Sequence, residues 1–328
     1  MNEKPSKVAV SVIIVSWNAC DYLMQCLESL VAEQSRNAME IIVVDNASSD
    51  GSPNCVQKRY PQVRLIRNNS NLGFAKANNI GIRQSSGRYL CLVNSDAKVF
   101  KGCIDVLVDY CEQHPEVGMA GPRVVGADGK LQRSCRGFPT LWNTFCRALA
   151  LDAVFPKVKL FTMYSLSHWP QENLSEVDIL SGCFWVIRRQ ALDKVGLLDE
   201  TFFMYGEDMD WCKRFQSAGW KNVFVPSAHA VHYGGASSAN APVRFYVEKQ
   251  RADFQYWKKH HSRFAVACYL LISCLHSMAR VIGYSAAALF AKQKRAACRH
   301  KVERSIACLR LLISRRSPSQ TNPAKSPG

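Results

Sequence analysis

The first 125 residues alternate between apolar runs of strand length and segments with the spacing of an amphipathic helix. The five apolar runs lie at residues 8–16, 40–45, 63–68, 88–94 and 117–125. The first two are near-continuous in Val and Ile, which is typical of parallel strands buried on both faces. Strands of this kind alternating with helices predict an α/β fold, in which a Rossmann-like, mostly parallel sheet carries helices on both faces.

Polar side chains follow three of these strands at their carboxyl ends, where parallel α/β sheets bind their ligands. The first strand ends in SWN at residues 16–18, the second in Asp45, and the fourth in NSD at residues 94–96. Turns and helix caps explain any one of these segments. They explain less well why two carboxylates, Asp45 and Asp96, should lie on the same edge of the sheet. Asp45 is placed to hydrogen-bond the base or ribose of a nucleotide. The first strand is not followed by GxGxxG, which disfavours a dinucleotide cofactor.

Three carboxylates, Glu207, Asp208 and Asp210, follow the aromatic run FFMY at residues 202–205. Charged groups so close to apolar surface are costly to desolvate, so they need solvent, a cation or a chemical task. Acidic residues also favour the positive end of a helix, and Arg214 is an i+4 surface partner for Asp210. The roles of Glu207 and Asp208 stay open between helix capping and chemistry.

Residues 126–176 show no period and are rich in Arg, aromatic residues and Pro, which predicts a long loop with short helices. Strands are predicted at 178–187 and 222–226. His229 and His232 follow the second of these. Packing at a strand end explains both histidines without any chemistry.

The charge of the chain is concentrated at its C-terminal end. The net charge is +16, and residues 244–328 hold 17 Lys and Arg against 3 Asp and Glu. Residues 264–293 are apolar for about the 20 residues that a bilayer requires, but His276 and Arg280 favour a helix that lies at the interface or packs on protein. We expect residues 244–316 to bind an anionic membrane surface, and residues 317–328 to be disordered.

Nucleic acid is the other anionic partner that a basic chain suggests. Residues 1–243 are nearly neutral, and aromatic stacking residues are not interleaved with basic ones along them. The sequence therefore predicts no nucleic acid partner. The fourteen cysteines include no CxxC pair, and no signal peptide is recognised, so we expect reduced thiols and a cytoplasmic location at the inner face of the cell membrane.

The motifs VSVIIVSWN, IIVVDNASSDGS, NLGFAKANNIGI, YLCLVNSDA, TFFMYGEDMDWCKR and HAVHYGG, in this order, resemble the family 2 inverting glycosyltransferases of the bacterial rhamnosyltransferase-like branch. The resemblance covers roughly residues 8–260. It implies a GT-A-type nucleotide-diphospho-sugar transferase domain at residues 1–243, followed by the basic helical extension at 244–316. Residues 8–125 would form its nucleotide-binding half and residues 126–243 its acceptor and catalytic half.

The resemblance also implies a role for each residue of the nucleotide-binding half. Asp45 would hydrogen-bond a pyrimidine base in a pocket that Ser16 and Asn18 line. Gly73 and Asn78, at the start of the helix after the third strand, would face the nucleotide or the sugar.

The NSD segment stands where the family has its DxD motif, so Asp96 would hold Mg²⁺ or Mn²⁺ against the diphosphate. His232 stands where related enzymes have a further metal ligand, and Asp208 stands at the general base. Asn94 is a neutral, weaker ligand at the first DxD position, which places the strength of metal binding in doubt. Glu207 would orient the acceptor or cap the helix.

These roles describe the transfer of a sugar from a nucleotide-diphosphate donor with inversion. The cation stabilises the departing diphosphate, while a carboxylate takes the proton of the acceptor hydroxyl. We expect L-rhamnose from dTDP-rhamnose to pass to a cell-envelope or lipid-linked glycan. The alternatives are a UDP- or GDP-hexose donor, and a non-catalytic relative that binds a glycan or nucleotide.

Overall fold

The computed structural model of the chain describes residues 8–33, 35–234, 242–290 and 295–314. These residues fall into two compact units. The first unit takes its described residues from the ranges 1–138 and 156–240, and the second takes its own from 139–155 and 241–328. The segment 317–328, for which disorder is predicted, lies outside the described residues. The division into functional halves at residues 125 and 243 stays a prediction.

The strands of the first unit lie within its described residues. They are β1 Val10–Ser16, β2 Met39–Asp45, β3 Arg64–Arg67, β4 Tyr89–Asn94, β5 Ala97–Val99, β6 Val117–Val125, β7 Cys135–Arg136, β8 Ser175–Glu176, β9 Ile179–Leu180, β10 Phe184–Arg188 and β11 Lys221–His232. The helices of both units, in chain order, are α1 Cys20–Ala32, α2 Ser52–Arg59, α3 Phe74–Arg83, α4 Cys103–Gln113, α5 Leu141–Ala148, α6 Leu151–Val154, α7 Arg189–Val195, α8 Glu207–Ser217, α9 Pro242–His260, α10 Arg263–Phe290 and α11 Arg295–Ser314.

One nine-stranded sheet dominates the first unit, in the order β3-β2-β1-β4-β10-β6-β11-β5, with β8 paired to β11. Strands β3, β2, β1 and β4 are mutually parallel, and β6 is parallel to β11. Strand β10 lies antiparallel between β4 and β6. Strands β7 and β9 form a separate antiparallel pair. The predicted mostly parallel α/β sheet is thereby confirmed.

Helices cover both faces of the sheet because successive side chains of a strand point to opposite faces. On one face, Val12 and Ile14 belong to a core cluster that includes Leu27 of α1. On the other face, α3 lies so close that a Cβ atom on Gly81 would come within 2.5 Å of Ile13 Cγ2. Glycine at this position therefore allows the helix to pack directly on the strand.

The five predicted apolar runs all form strands, with ends that differ by at most two residues. The predicted strand 178–187 is instead two strands, β9 and β10. Strand β11 runs much further than 222–226, to His232, after an irregularity in its pairing with β6 between Val225 and His229. Residues 126–176 contain the expected short helices, together with the short strands β7 and β8.

The second unit is helical, which confirms the C-terminal helical extension. Helix α10 packs against α5, α9 and α11. By length and composition it is the one described helix that could cross a membrane, with a mean hydropathy of 1.7 over 18 residues, of which only 17% are buried. This is weak evidence for a span by itself, because core helices of soluble proteins can have the same composition.

Candidate active site

Two buried polar atoms at the ends of β1 and β2 have no hydrogen-bond partner among the described residues. They are Ser16 Oγ and Asp45 Oδ1, and the parallel register pairs Ser16 directly with Asp45. The other carboxylate oxygen of Asp45 accepts a hydrogen bond from the Ser48 amide at 3.1 Å. Because buried polar groups are nearly always paired, a donor and an acceptor left open side by side indicate a ligand site.

Asn18 holds the loop that follows β2. The backbone N–H of Asn18 donates to Ser48 Oγ at 3.0 Å, and its side-chain Oδ1 accepts from the backbone N–H of Ser49 at 2.7 Å. The backbone of Asn18 is left-handed (φ 49°), a conformation that Asn tolerates better than most residues. The structure thus places Asn18 beside Ser16 and Asp45 as a support of the loop. Direct contact of Asn18 with a nucleotide stays a prediction.

Gly73 joins the start of α3 to the loop that precedes α8. Its φ is +83°, and a Cβ atom here would lie 2.4 Å from the carbonyl oxygen of Phe203. That carbonyl accepts a hydrogen bond from the Phe74 amide at 2.7 Å. Asn78 is buried in α3, where its side-chain Nδ2 donates to the Phe74 carbonyl at 3.0 Å. Contact of either predicted residue with the donor stays a prediction.

Asn46 was not predicted, and it is the centre of a hydrogen-bond network beside this site. Its Nδ2 donates to Asn71 Oδ1 at 2.9 Å and to the Gly73 carbonyl at 3.2 Å. Its Oδ1 accepts from Asn68 Nδ2 and from the Leu72 amide. One buried side chain thereby fixes the whole loop between β3 and α3. The asparagine-rich string NNSNLG was the only available signal in the sequence.

Asp96, His232 and Asn94 meet at the end of β4, because β5 pairs antiparallel with β11 and brings His232 opposite Ala97. Asp96 Oδ1 lies 3.2 Å from His232 Nε2, and Asn94 Nδ2 lies 3.3 Å from the same nitrogen. The predicted metal-binding residues are therefore adjacent in space, although 136 residues separate Asp96 from His232.

Gln132, which sequence reasoning missed, holds the ring of His232. Its Nε2 donates to the His232 carbonyl at 2.6 Å, which turns its Oε1 toward His232 Nδ1 at 2.9 Å. Because Oε1 can only accept, Nδ1 of the ring donates its hydrogen to Gln132. The other ring nitrogen, Nε2, faces Asp96 and Asn94. A histidine fixed in this way by an outer partner has the form that binds a metal.

These residues fit a divalent cation with few protein ligands. Asp96 offers a carboxylate, His232 its Nε2 atom and Asn94 a side-chain amide, a set that leaves positions for phosphate oxygens. Over the residues that the structure describes, no group of three or more His, Cys, Asp and Glu side chains is arranged to hold a metal.

The acidic cluster lies at the start of α8, after two residues with left-handed backbone, Tyr205 (φ 65°) and Gly206 (φ 82°). Asp210 is fully buried and pairs with Arg214, whose Nε lies 2.9 Å from its Oδ2. The predicted partner is correct, but the pair is not on the surface. Arg214 also donates to the carbonyl of Val195, the last residue of α7, and to that of Leu197 in the loop before α8, so the pair anchors α8 to the preceding segment.

Asp208 is buried in the first turn of α8 and contacts an arginine that was not predicted. Its Oδ2 lies 2.5 Å from Arg136 Nη2, and its Oδ1 accepts from the Met209 amide at 2.8 Å. Arg136 belongs to β7, and its Nη1 also contacts the hydroxyl of Tyr164 at 3.4 Å. The guanidinium supplies the countercharge that a buried carboxylate requires. Glu207 is buried next to Asp208.

Cys183 is a buried residue whose backbone is hydrogen-bonded to that of Asn94. Burial raises the pKa of its thiol to about 11, and the negative charges of Asp96 and Asp208 both add to the increase. The Cys183 carbonyl also accepts a hydrogen bond from the Asn94 amide at 3.0 Å. All fourteen cysteines are free, as expected.

Comparison with known proteins assigns most of this unit to one family. Residues 11–196 match the family Glycosyl transferase family 2. The matched range contains the strand ends that carry Asp45 and Asp96.

Two relatives of known type match well beyond this range. An N-acetylglucosaminyl-diphospho-decaprenol L-rhamnosyltransferase of Mycobacterium tuberculosis is 31% identical over 266 residues, which cover 76% of this chain and 84% of the relative. The rhamnosyltransferase WbbL of Escherichia coli K12 is 28% identical over 233 residues, which cover 68% of this chain and 83% of that protein.

A solved structure shows the same fold over nearly the whole chain. It is the mannosyltransferase PcManGT from Pyrobaculum calidifontis in complex with GDP-Man and Mn²⁺, with a TM-score of 0.56 and 16% sequence identity. The match covers 95% of this chain and 90% of that one.

Proposed function

The chain belongs to glycosyl transferase family 2, and we propose that it transfers L-rhamnose from dTDP-rhamnose to a lipid-linked or other cell-envelope saccharide. Two rhamnosyltransferases that each match more than two thirds of this chain support the choice of sugar. The name of the mycobacterial relative contains a diphospho-decaprenol carrier, which supports a lipid-linked acceptor.

The nucleotide would bind at the ends of β1 and β2. Asp45 Oδ1 is buried with an open acceptor position, and the imide N–H of a pyrimidine base would satisfy it. Ser16 Oγ would contact the same base or its ribose. Asn18 would act mainly by holding the loop that closes this pocket.

The diphosphate would lie between this pocket and the residues around His232. Asp96 and His232 would hold Mg²⁺ or Mn²⁺, and Asn94 would contact either the cation or a phosphate oxygen. When bound, such a cation stabilises the negative charge that grows on the departing diphosphate. Gln132 would hold the ring of His232 through Nδ1, with Nε2 directed toward this cation.

Asp208 would take the proton from the acceptor hydroxyl as the new glycosidic bond forms. Each of its oxygens already accepts one hydrogen bond, but a carboxylate oxygen has a second lone pair that can accept another. Arg136 and the Met209 amide thereby fix the direction in which the carboxylate faces. A single displacement with the base opposite the leaving group inverts the anomeric centre.

One observation supports this proposal above the others: Asp96 and His232, 136 residues apart in sequence, lie 3.2 Å apart at the end of β4, where they offer a carboxylate and an imidazole to a cation. Sugar transfer needs an acidic group beside the leaving diphosphate and a second one beside the acceptor. Asp96 would be the first of these groups, and Asp208, 112 residues further along the sequence, would be the second.

A panel of nucleotide sugars tests the proposal. Purified protein with Mg²⁺ or Mn²⁺ would receive dTDP-rhamnose, UDP-GlcNAc, UDP-galactose or GDP-mannose together with a prenyl-diphosphate saccharide, and the product would be read by mass shift and anomeric configuration. We expect a rhamnose mass shift with inversion, lost in Asp208→Asn and retained in Asp21→Asn, an exposed aspartate of α1. Turnover of another donor alone would refute rhamnose, and binding without turnover would favour a non-catalytic relative.

A further inference from the structure

A stripe of exposed apolar side chains runs along α10 and is called the α10 stripe here. It consists of Phe264, Leu271, Leu275, Met278, Ile282 and Leu289. These side chains are between 43% and 77% exposed. Their spacing of three, four and seven residues places them on one face of the helix.

The opposite face of α10 is buried and polar. Tyr269, Ser273 and Ser277 recur every four residues on it, and Gln250 of α9 donates a hydrogen bond to the Tyr269 hydroxyl at 2.6 Å. A helix on the surface of a protein in water buries its apolar face and exposes its polar one. In α10 this relation is reversed, so its outer face is suited to an apolar environment and not to water.

Basic residues lie at both ends of this helix. Lys258, Lys259 and Arg263 are exposed around its start, and Arg295 and Arg299 are exposed at the beginning of α11. Within the described part of the second unit, Glu303 is the single exposed acidic side chain. An apolar stripe between cationic ends is complementary to a bilayer that contains anionic lipids.

We propose that the α10 stripe is a membrane-binding surface, and that α10 lies along an anionic bilayer with these side chains among the upper acyl chains. The helix is long enough to cross a bilayer, but its neighbours argue for lying flat. It packs against α9 and α11, which are basic and cannot follow it into hydrocarbon. His276 on α10 is also hydrogen-bonded to the Ala148 carbonyl at 2.8 Å, which keeps α5 at its side.

Vesicle sedimentation of the full chain tests this surface. Wild type, Leu275→Glu/Ile282→Glu and the control Val31→Glu would be mixed with phosphatidylcholine vesicles and with vesicles that contain one quarter phosphatidylglycerol. Val31 is a matched control because it is 48% exposed on α1, in the other unit. Exposed positions tolerate such changes, and the melting temperature of each variant checks folding.

We expect wild type and Val31→Glu to bind the anionic vesicles, and the double variant to lose at least tenfold in partition, because two apolar contacts become charges. Binding should fall in 1 M NaCl, and alkaline carbonate should release the protein. Equal binding of the double variant overturns the proposal, and so does resistance to carbonate, which would indicate a span. A wild-type dimer that dissociates in the double variant, without vesicle binding, would assign the stripe to a second copy of the chain.

Discussion

Replacement of Arg136 by Met removes the countercharge of Asp208 while it keeps an unbranched, largely apolar stem like that of arginine. Two unit charges about 4 Å apart attract by about 4 kcal/mol at an effective dielectric constant of about 20. The Arg136 side chain is 23% exposed and that of Asp208 is 10% exposed, so water screens part of this attraction. About half of it, about 2 kcal/mol, is what we expect the pair to contribute to holding the Asp208 carboxylate in one orientation, and losing that orientation corresponds to roughly a 30-fold fall in rate.

We therefore expect Arg136→Met to lower kcat about 30-fold with little change in the KM of the donor, since the ion pair of Arg136 is with Asp208, the proposed base. Arg136→Lys should recover part of this loss. Arg133→Met is the matched control, because Arg133 lies in the same segment and donates only to the carbonyls of residues 166, 167 and 169. It should retain kcat within about threefold.

Urea unfolding of Arg136→Met, Asp208→Asn and the double variant separates the pair from the general effect of each change. Arg136→Met leaves the Asp208 carboxylate without its countercharge, and Asp208→Asn leaves the Arg136 guanidinium without this carboxylate. The double variant has no charge at either position. The unfolding free energies should therefore couple by about 2 kcal/mol. Additive single effects, or full kcat in Arg136→Met, would show that Arg136 does not position Asp208.

Three further predictions concern other parts of the first unit. Burial raises the pKa of Glu33 from 4.5 to about 7, because the folded protein favours the protonated, uncharged side chain. The contribution of Glu33 to the free energy of unfolding is therefore complete below pH 4.5 and is lost as the pH rises through 7. The free energy of unfolding of Glu33→Gln should therefore exceed that of wild type by about 3 kcal/mol at pH 8.5 and equal it at pH 4. Chemical denaturation at the two pH values measures this difference. The same difference at both pH values would contradict the prediction. Asp45→Ala should weaken binding of the donor at least tenfold by calorimetry and leave Mn²⁺ binding unchanged, whereas equal donor affinity would remove Asp45 from the nucleotide site. Gln132→Leu should weaken Mn²⁺ binding 10- to 100-fold by electron paramagnetic resonance in the presence of dTDP, and unchanged binding would show that the ring of His232 needs no outer partner.

The sheet could be predicted because its signal is local. Continuous Val and Ile in β1 and β2 leave no polar face, so only a sheet covered on both sides can bury them. The pair of Asp210 and Arg214 was equally accessible, because residues four apart share one face of a helix. The burial of this pair could not be predicted, since the loop that covers Arg214 precedes the helix and shows no pattern in the sequence.

Arg136 and Gln132 could not be predicted for the opposite reason. Their partners, Asp208 and His232, lie 72 and 100 residues further along the chain. Both belong to an irregular segment in which arginine and glutamine are ordinary surface residues. Only the pairing of β7 with β9 brings Arg136 to α8. Side chains that orient a catalytic group through such long-range contacts carry no periodic signal.

The contact of Gly73 with Phe203 affects how mutations in the loop before α8 should be interpreted. Because Phe203 supplies the carbonyl that accepts a hydrogen bond from the first amide of α3, a shift in this loop would displace the start of a helix beside the proposed nucleotide pocket. Asn79 adds a second connection through the backbone of Leu198. Substitutions at 198–203 are thus expected to weaken affinity for the proposed donor without any contact with it. A mutational scan that measures affinity alone would therefore assign more residues to the proposed donor-binding surface than would contact the donor.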